Sequence, residues 1–448
     1  MKLLLLYPPF CTPTVMSYSL AYMKAFLQDN LKMEVKCLDL NAKFHHLRFK
    51  PSYEKLKKSK DSNEYFSILE EFDTLSRPIY SENNKKVIHD QLPELFEEIL
   101  NLILEEKADF IAFSLVYNSQ CFYAKPLIEE LLKRKQKVLL GGPADYSRIN
   151  KGTNCLKNEV ELLEYLAKGS KQKISSELNC STVPDFSDFK DVDYLTKEIV
   201  LPLKSSTACY YQQCAFCTHH GNRKYFKIDL GLLKKGILQT KKKHFFFIDD
   251  MISKERLVKI ATMLKLLKVK WWCQLRPTRE LIALLPEMYA SGLRSVSWGV
   301  ESASQRVLDF IKKGTKVPDI AAVLKASHEA GIKNSVYIMF GFPTETKEEF
   351  MQTLQFLRDN RENIDLVTTS IFGLQKGSKV YAEQEKYAIK EIITKPRTIL
   401  DDIISYRASS GMQPEEVAKA FKRHLYVIKK IDKLPRVINY FKEQVLLV

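Results

Sequence analysis

The chain alternates short apolar runs with amphipathic stretches along most of its length. In the second half the runs are Ile199–Lys204, His244–Ile248, Val269–Leu275, Arg294–Val300, Asn334–Phe340 and Leu366–Phe372. Between them, Leu230–Thr240, Lys254–Leu267, Glu280–Ala290, Gln305–Ile311 with Pro318–Ala330, and Lys347–Asp359 repeat apolar residues at helical spacing. Strands alternating with helices of this length predict right-handed crossovers and a parallel sheet. Polar residues recur just past the last apolar residue of each strand: Asp249-Asp250, Arg276, Glu301-Ser302, and the turn Gly341-Phe-Pro-Thr-Glu345 with Pro343 inside it. In parallel α/β barrels that rim carries the chemistry.

The first part has its own logic. Lys2–Leu6 is an apolar strand broken by Pro8-Pro9, Ser17–Asp29 is amphipathic, and Met33–Leu38 is a second strand ending at Asp39. Asp109–Ser114 and Val138–Leu140 supply further strands around a helix at Cys121–Lys133, and Gly141-Gly142-Pro143 marks a strand-end loop where a ligand can come close. This predicts a doubly wound sheet, which binds ligands outside the carboxyl ends of its strands. Phe49–Lys86 reads as helices laid over this domain, and the polar stretch Lys168–Asp191 as a linker. The tail predicts helices at Thr398–Arg407, Pro414–Lys429 and Leu434–Leu447. The expected organisation is an α/β domain over 1–168 with a helical insertion at about 49–105, a linker at 169–198, a barrel core over 199–390 and a helical region over 391–448.

The densest chemical signal is Cys209-Tyr-Tyr-Gln-Gln-Cys214-Ala-Phe-Cys217. Three thiolates on one loop leave one metal position open, as an iron–sulfur cluster needs if a reactant is to bind its fourth iron. A Cys3His zinc site is the competing reading, because His219 and His220 follow at usable spacing. The loop falls at the same rim as the strand-end polar residues, which favours an active site over a structural clip. Local alternatives exist for the others: Asp249-Asp250 can cap the helix starting near Ser253, Glu301 the one after Ser304, and Thr346 with Glu349 makes a capping box. Phe245-Phe246-Phe247 reads as a buried strand.

Residues from about Val200 to Ile389 resemble a radical S-adenosylmethionine (radical SAM) enzyme core. The likeness rests on the clustered cysteines with Phe216 before the last, Phe247-Ile-Asp-Asp250, Trp272-Cys-Gln-Leu-Arg276, Trp298-Gly-Val-Glu-Ser-Ala-Ser-Gln-Arg-Val-Leu-Asp309 followed by Lys313-Gly-Thr315, and Gly341-Phe-Pro-Thr-Glu-Thr346. Four residues separate Cys209 from Cys214 where the family usually has three, a variant similar to some cobalamin-type members. The resemblance implies a partial (β/α)6 barrel and a 4Fe–4S cluster on Cys209, Cys214 and Cys217. It places Asp249 and Asp250 near the ammonium of S-adenosyl-L-methionine, Arg276 on its carboxylate, Glu301 and Ser302 on ribose hydroxyls, and the Gly341–Glu345 turn on the adenine. The Tyr-Pro-Pro loop, the Asp39-Leu-Asn strand end and Gly141-Gly142-Pro143 resemble the cobalamin-binding domain ahead of many such cores, which implies corrinoid contacts at Pro8, Ser114, Gly141 and Gly142. The Asp-x-His-x-x-Gly signature is absent, since His45 and His46 follow Asp39 at the wrong spacing, so cobalamin would lack a lower axial histidine.

Composition sets the limits. At 448 residues the chain suits two domains plus a tail, and its nine cysteines form no regular framework, which fits a reducing cytoplasm. It has no long uninterrupted apolar span, so no membrane is expected. The net charge of +16 suits an acidic partner such as RNA, or reflects dispersed lysines on solvated helix faces. The expected function is a cobalamin-type radical SAM methyltransferase acting on an unactivated carbon of a small molecule, peptide or RNA, reduced by a ferredoxin or flavodoxin. The alternatives are a radical SAM enzyme with a vestigial corrinoid domain that modifies RNA or peptide through the 5′-deoxyadenosyl radical, and a zinc-stabilised nucleic-acid-binding protein. Tyr210, Tyr211 and Tyr117-Asn118 are candidates for lining the substrate cavity.

Overall fold

The computed structural model describes the chain except for residues 176, 177, 179–181, 219–223 and 448. It forms two compact units: Met1–Pro202 with Gly231–Lys242 and Pro396–Asp402, and Leu203–Leu230 with Lys243–Lys395 and Ile403–Val448.

The first unit is built on β1 (Lys2–Tyr7), β2 (Glu34–Asp39), β3 (Phe110–Ser114), β4 (Val138–Gly141) and β5 (Asn154–Leu156). All pair in parallel in the order β2-β1-β3-β4-β5. Leu3 to Leu6 are all buried, so both faces of β1 are covered, as in parallel sheets flanked by helices. The winding reverses between β1 and β3, and the crevice at their carboxyl ends is where such sheets take ligands. Helices Lys50–Lys58, Ser62–Ile88 and Phe96–Leu104 occupy the interval before β3. Residues 182–198 are not a free linker. Phe189, Tyr194 and Leu195 are buried, Asp185 and Asp188 clasp Lys24 at 3.1 and 2.9 Å, and Tyr194 donates to Asp39 at 2.9 Å.

The second unit holds five strands in chain order, β9 (His244–Phe247), β10 (Lys270–Leu275), β11 (Leu293–Glu301), β12 (Lys333–Phe340) and β13 (Leu366–Ile371), and the six-stranded sheet also includes β6 (Val200–Leu203), of which only Leu203 belongs to this unit. The two-residue strands β7 (Ser206–Thr207) and β8 (Phe226–Lys227) pair antiparallel on either side of the cysteine loop. Sequential parallel order is that of the expected partial barrel. Phe245 and Phe247 are fully buried, while Phe246 stacks on Trp272 with centroids 5.3 Å apart. A small cleft lies near the amino-terminal ends of β11–β13, lined by Trp272, Ser297, Ser335, Thr368, Lys442 and Val445.

The tail departs from the all-helical expectation. Ile403–Ala408, inside the stretch read as helix, is strand β15 and pairs antiparallel with β14 (Ile389–Lys395). Both are rich in β-branched and aromatic residues, which pack well on a pleated surface, and that preference won over helical spacing. The helix at Pro414–Ile431 is present, but Leu434–Leu447 breaks into the short 3₁₀ turns Arg436–Asn439 and Lys442–Leu447.

Candidate active site

The cysteine loop follows β7 and is held from two sides. On one side it meets three successive carbonyls: Ala215 N donates to Ile311 O at 2.9 Å, Tyr211 Oη to Lys312 O at 3.0 Å, and Arg276 Nη1 from β10's end to Lys313 O at 3.4 Å. The Arg276 guanidinium also lies 3.7 Å from the centroid of the Tyr211 ring, a cation–π contact. Gly314 permits this approach: its φ is +69°, and a Cβ there would sit 2.2 Å from Tyr211 Oη. On the other side Lys379 Nζ donates to the carbonyls of Gln212 and Gln213 at 3.3 and 3.4 Å, and Val380 N to Ala215 O at 3.2 Å. Cys209, Cys214 and Cys217 form no disulfide, and each is half-buried. Burial pushes the Cys214 thiol up, opposed by the nearby Lys313 ammonium.

The strand-end carboxylates divide by what already occupies them. Asp249 is 1% exposed, and its oxygens accept from Ser205 N and Ser205 Oγ at 2.8 Å and from Ser206 Oγ at 2.6 Å. Burial raises its pKa, and those donors work against the rise. Asp249 thus ties β9 to the turn entering the cysteine loop. Asp250 beside it is half-buried. The helix after them is capped by Ser253, whose side chain accepts from Arg256 N.

At the end of β11 the register shifts between Gly299 and Glu301, and Glu301 takes φ +67°. Such a bulge re-aims a side chain. Here Glu301 Oε1 meets Lys313 Nζ at 2.8 Å. Ser302 is buried, with its hydroxyl 3.3 Å from Thr353 Oγ1 and accepting from Ser304 N at 3.1 Å. The Ser302 oxygen thus serves the turn into the next helix.

The Gly341–Glu345 turn is covered by the tail. Tyr406 Oη donates to Gly341 O at 3.0 Å, Pro343 is buried, and a Cβ on Gly341 would meet Val417 at 2.7 Å. Gly341 therefore makes room for the helix Pro414–Ile431. Glu345 accepts from Gly341 N at 2.5 Å through Oε2, while its buried Oε1 has no partner. Burial raises the Glu345 pKa to about 7. The folded protein holds a proton that the unfolded chain releases from about pH 4.5, so stability falls as pH climbs from there through about 7. The full difference is about 3 kcal/mol. Glu345→Gln should abolish this dependence: from pH 5 to pH 8 its melting temperature is expected to rise relative to that of the unmodified protein. A gap that stays constant over that range would refute the assignment. The expected capping box of Thr346 and Glu349 is present.

At the sheet edge of the first unit, Pro8 O accepts from Gln120 Nε2 at 2.8 Å, and Ser114 Oγ lies 3.1 Å from Ser19 Oγ. Gly142, at φ +115°, packs so that a Cβ would lie 2.2 Å from Leu115 O, and Gly141 sits 3.3 Å by the same measure from Leu156 O. The glycines thus serve strand–loop packing; their close neighbours are backbone. His45 is buried with both ring nitrogens engaged, by Asn41 O at 2.6 Å and Tyr80 Oη at 2.5 Å, and burial lowers its pKa to about 4. His46 lies 3.3 Å from Asp193. Neither ring is set out as a metal ligand.

His219 and His220 lie outside the described residues. Among the described residues no three His, Cys, Asp or Glu side chains converge around a single ion. A 4Fe–4S cluster does not require that, since it takes one thiolate on each of three irons. The donor set fits a cluster: three soft thiols on a braced loop, beside a buried Arg276 Nε that has no partner. Tyr211 and Tyr210 are committed to Arg276 and to Tyr225 respectively, Asn118 binds Asp145 N, and Tyr117 is exposed. Sequence reasoning missed the Ser205–Ser206 grip on Asp249, the Lys313–Glu301 pair and the Lys379 brace. Lys313-Gly-Thr315 had been singled out as a motif without a role.

Residues 203–357 match the model of the Radical SAM superfamily. An uncharacterised methyltransferase of Pyrococcus horikoshii is 28% identical over 151 residues, 33% of this chain and 32% of that protein. The bacteriochlorophyllide d C-12(1)-methyltransferase of Chlorobaculum tepidum is 27% identical over 193 residues, 40% of this chain and 42% of that protein. The matches thus span less than half the length of either relative. Among solved structures, the radical S-adenosylmethionine methyltransferase TsrM of Kitasatospora setae, with cobalamin and a [4Fe-4S] cluster bound, superposes with a TM-score of 0.61 at 14% identity, covering 95% of this chain and 88% of that one. The cobalamin-dependent S-adenosylmethionine radical enzyme OxsB, with aqua-cobalamin bound, gives 0.63 at 14% identity, covering 99% and 72%. At that identity the shared property is the fold: a doubly wound domain ahead of a partial barrel. No described helix is long and apolar enough to cross a membrane.

Proposed function

We propose that this chain, whose residues 203–357 form a radical SAM domain, is a cobalamin-dependent radical SAM methyltransferase that cleaves S-adenosylmethionine at a 4Fe–4S cluster. The observation that carries the reading is the braced loop of Cys209, Cys214 and Cys217, with Arg276 and Glu301 beside it. The thiolates would hold three irons and leave the fourth to the methionine end of the nucleotide. When bound, the cluster supplies the electron that cleaves the sulfonium and a corrinoid supplies the methyl carrier.

The chain's own groups account for placement. Asp250, at the strand end beside Asp249, is a candidate partner of the ligand's ammonium. Arg276 turns one nitrogen to Lys313 O and leaves Nε for a carboxylate, in a fork that lysine cannot reproduce. Glu301 is the candidate for the ribose. The corrinoid would sit at the carboxyl edge of the five-stranded sheet, between the loops after β1 and β3, without a histidine below it. The substrate class is an unactivated carbon in a small molecule, peptide or RNA, and a ferredoxin or flavodoxin is the proposed reductant.

Product analysis tests the reading. Reconstituted anaerobically with cobalamin and given reductant, the protein should yield S-adenosylhomocysteine. Formation of 5′-deoxyadenosine alone, with no uptake of cobalamin, would move the reading to the vestigial-corrinoid enzyme.

A further inference from the structure

The segment from Ile311 to Gly314 does more than brace the cysteine loop. Its three carbonyls face the loop and Arg276, and the same turn carries the Lys313 side chain inward, where it is 6% exposed. Lys313 Nζ lies 2.8 Å from Glu301 Oε1 and 6.0 Å from the ring centroid of Phe216, the residue before Cys217. The strand makes room for it: a Cβ on Gly299 would stand 2.7 Å from Nζ. Burying an ammonium is costly, and a buried ion pair is weak evidence for stability alone. This one stands beside the cysteine loop, with the Phe216 ring 6.0 Å away, and the Glu301 carboxylate at 2.8 Å favours its charged form.

We propose that Lys313 is a positioning residue that sets the electron affinity of the cluster, its buried ammonium beside the cysteine loop favouring the reduced state while Glu301 holds it in place. The inference rests on the proposed reading of the cysteines as cluster ligands. The step is a one-electron reduction: an external one-electron donor is oxidised and the cluster gains one negative charge, with no bond made or broken in the chain. Charges interact more strongly in a buried, poorly screened setting, and cluster potentials follow net charge and hydrogen bonding to the sulfurs. A fixed cation therefore raises the potential, and a fixed anion lowers it.

The test is a redox titration of the reconstituted full chain, monitored by electron paramagnetic resonance. Lys313→Met should titrate at a more negative potential than the unmodified protein, Lys313→Arg close to it, and Glu301→Gln at a more positive potential. A Lys313→Met potential equal to that of the unmodified protein overturns the inference. Should Lys313→Met fail to take up iron, Glu301→Gln decides, and an unchanged or more negative potential there overturns it. If the unmodified protein itself shows no reducible cluster, the reading of the cysteines fails and takes this inference with it. A cluster present but indifferent to both substitutions rejects the role of Lys313 and leaves that reading standing.

Discussion

Replacing Cys209, Cys214 or Cys217 with alanine is expected to reduce the iron of the reconstituted protein to background and to abolish S-adenosylmethionine cleavage. Each thiol would hold a different iron, so no neighbour on the loop can substitute for a missing one. Cys273 and Cys37 are buried, and they lie outside the loop. The loop is also braced by polypeptide contacts of Tyr211, Ala215 and Lys379. The metal-free alanine variants should therefore stay folded and keep a cooperative melting transition. Visible absorbance and product analysis read the loss; melting shows that it is local. An alanine variant that keeps both chromophore and cleavage would remove that cysteine from the site.

The second large effect separates two adjacent carboxylates. Asp249→Ala is expected to destabilise the metal-free second unit by about 3–4 kcal/mol, because it strands the buried Ser205 N–H and the Ser205 and Ser206 hydroxyls, at about 1–3 kcal/mol for each unsatisfied group. Asp250→Ala should weaken nucleotide binding and destabilise the unit by less than Asp249→Ala does. All three tryptophans, Trp271, Trp272 and Trp298, lie in the second unit, so urea unfolding followed by their fluorescence reports on that unit. Equal destabilisation by the two substitutions would contradict the division of labour.

The difference between those neighbours marks where the sequence could be read and where it could not. Strands such as Asn334–Phe340 were legible because burial on both faces leaves a run of apolar residues, and the Thr346–Glu349 capping box because it is closed within one turn. Asp249 was not, because its donors come from residues 44 positions earlier, brought near only by the sheet. Lys313 and Glu301 were each quoted as motif residues, yet their pairing depends on a bulge in β11 that strand periodicity does not reveal. The packing of Gly341 on Val417 was not legible either, because Val417 lies on a helix far along the chain. The tail hairpin was missed because Ile403-Ile404-Ser405-Tyr406 suits either helix or strand until its partner β14 is in place. The site was legible in its residue types and rim position; its hydrogen bonds were not, since they are tertiary.

The most direct measurement is the electron paramagnetic resonance spectrum of the anaerobically reconstituted, reduced protein, recorded before and after adding S-adenosylmethionine, alongside iron, sulfide and zinc analysis of the same sample. The account predicts iron and sulfide in a 4Fe–4S ratio, a reduced-cluster signal, and a clear change in that signal when the nucleotide reaches the fourth iron. A protein that carries zinc in place of iron, or a cluster whose spectrum is unmoved by the nucleotide, contradicts it.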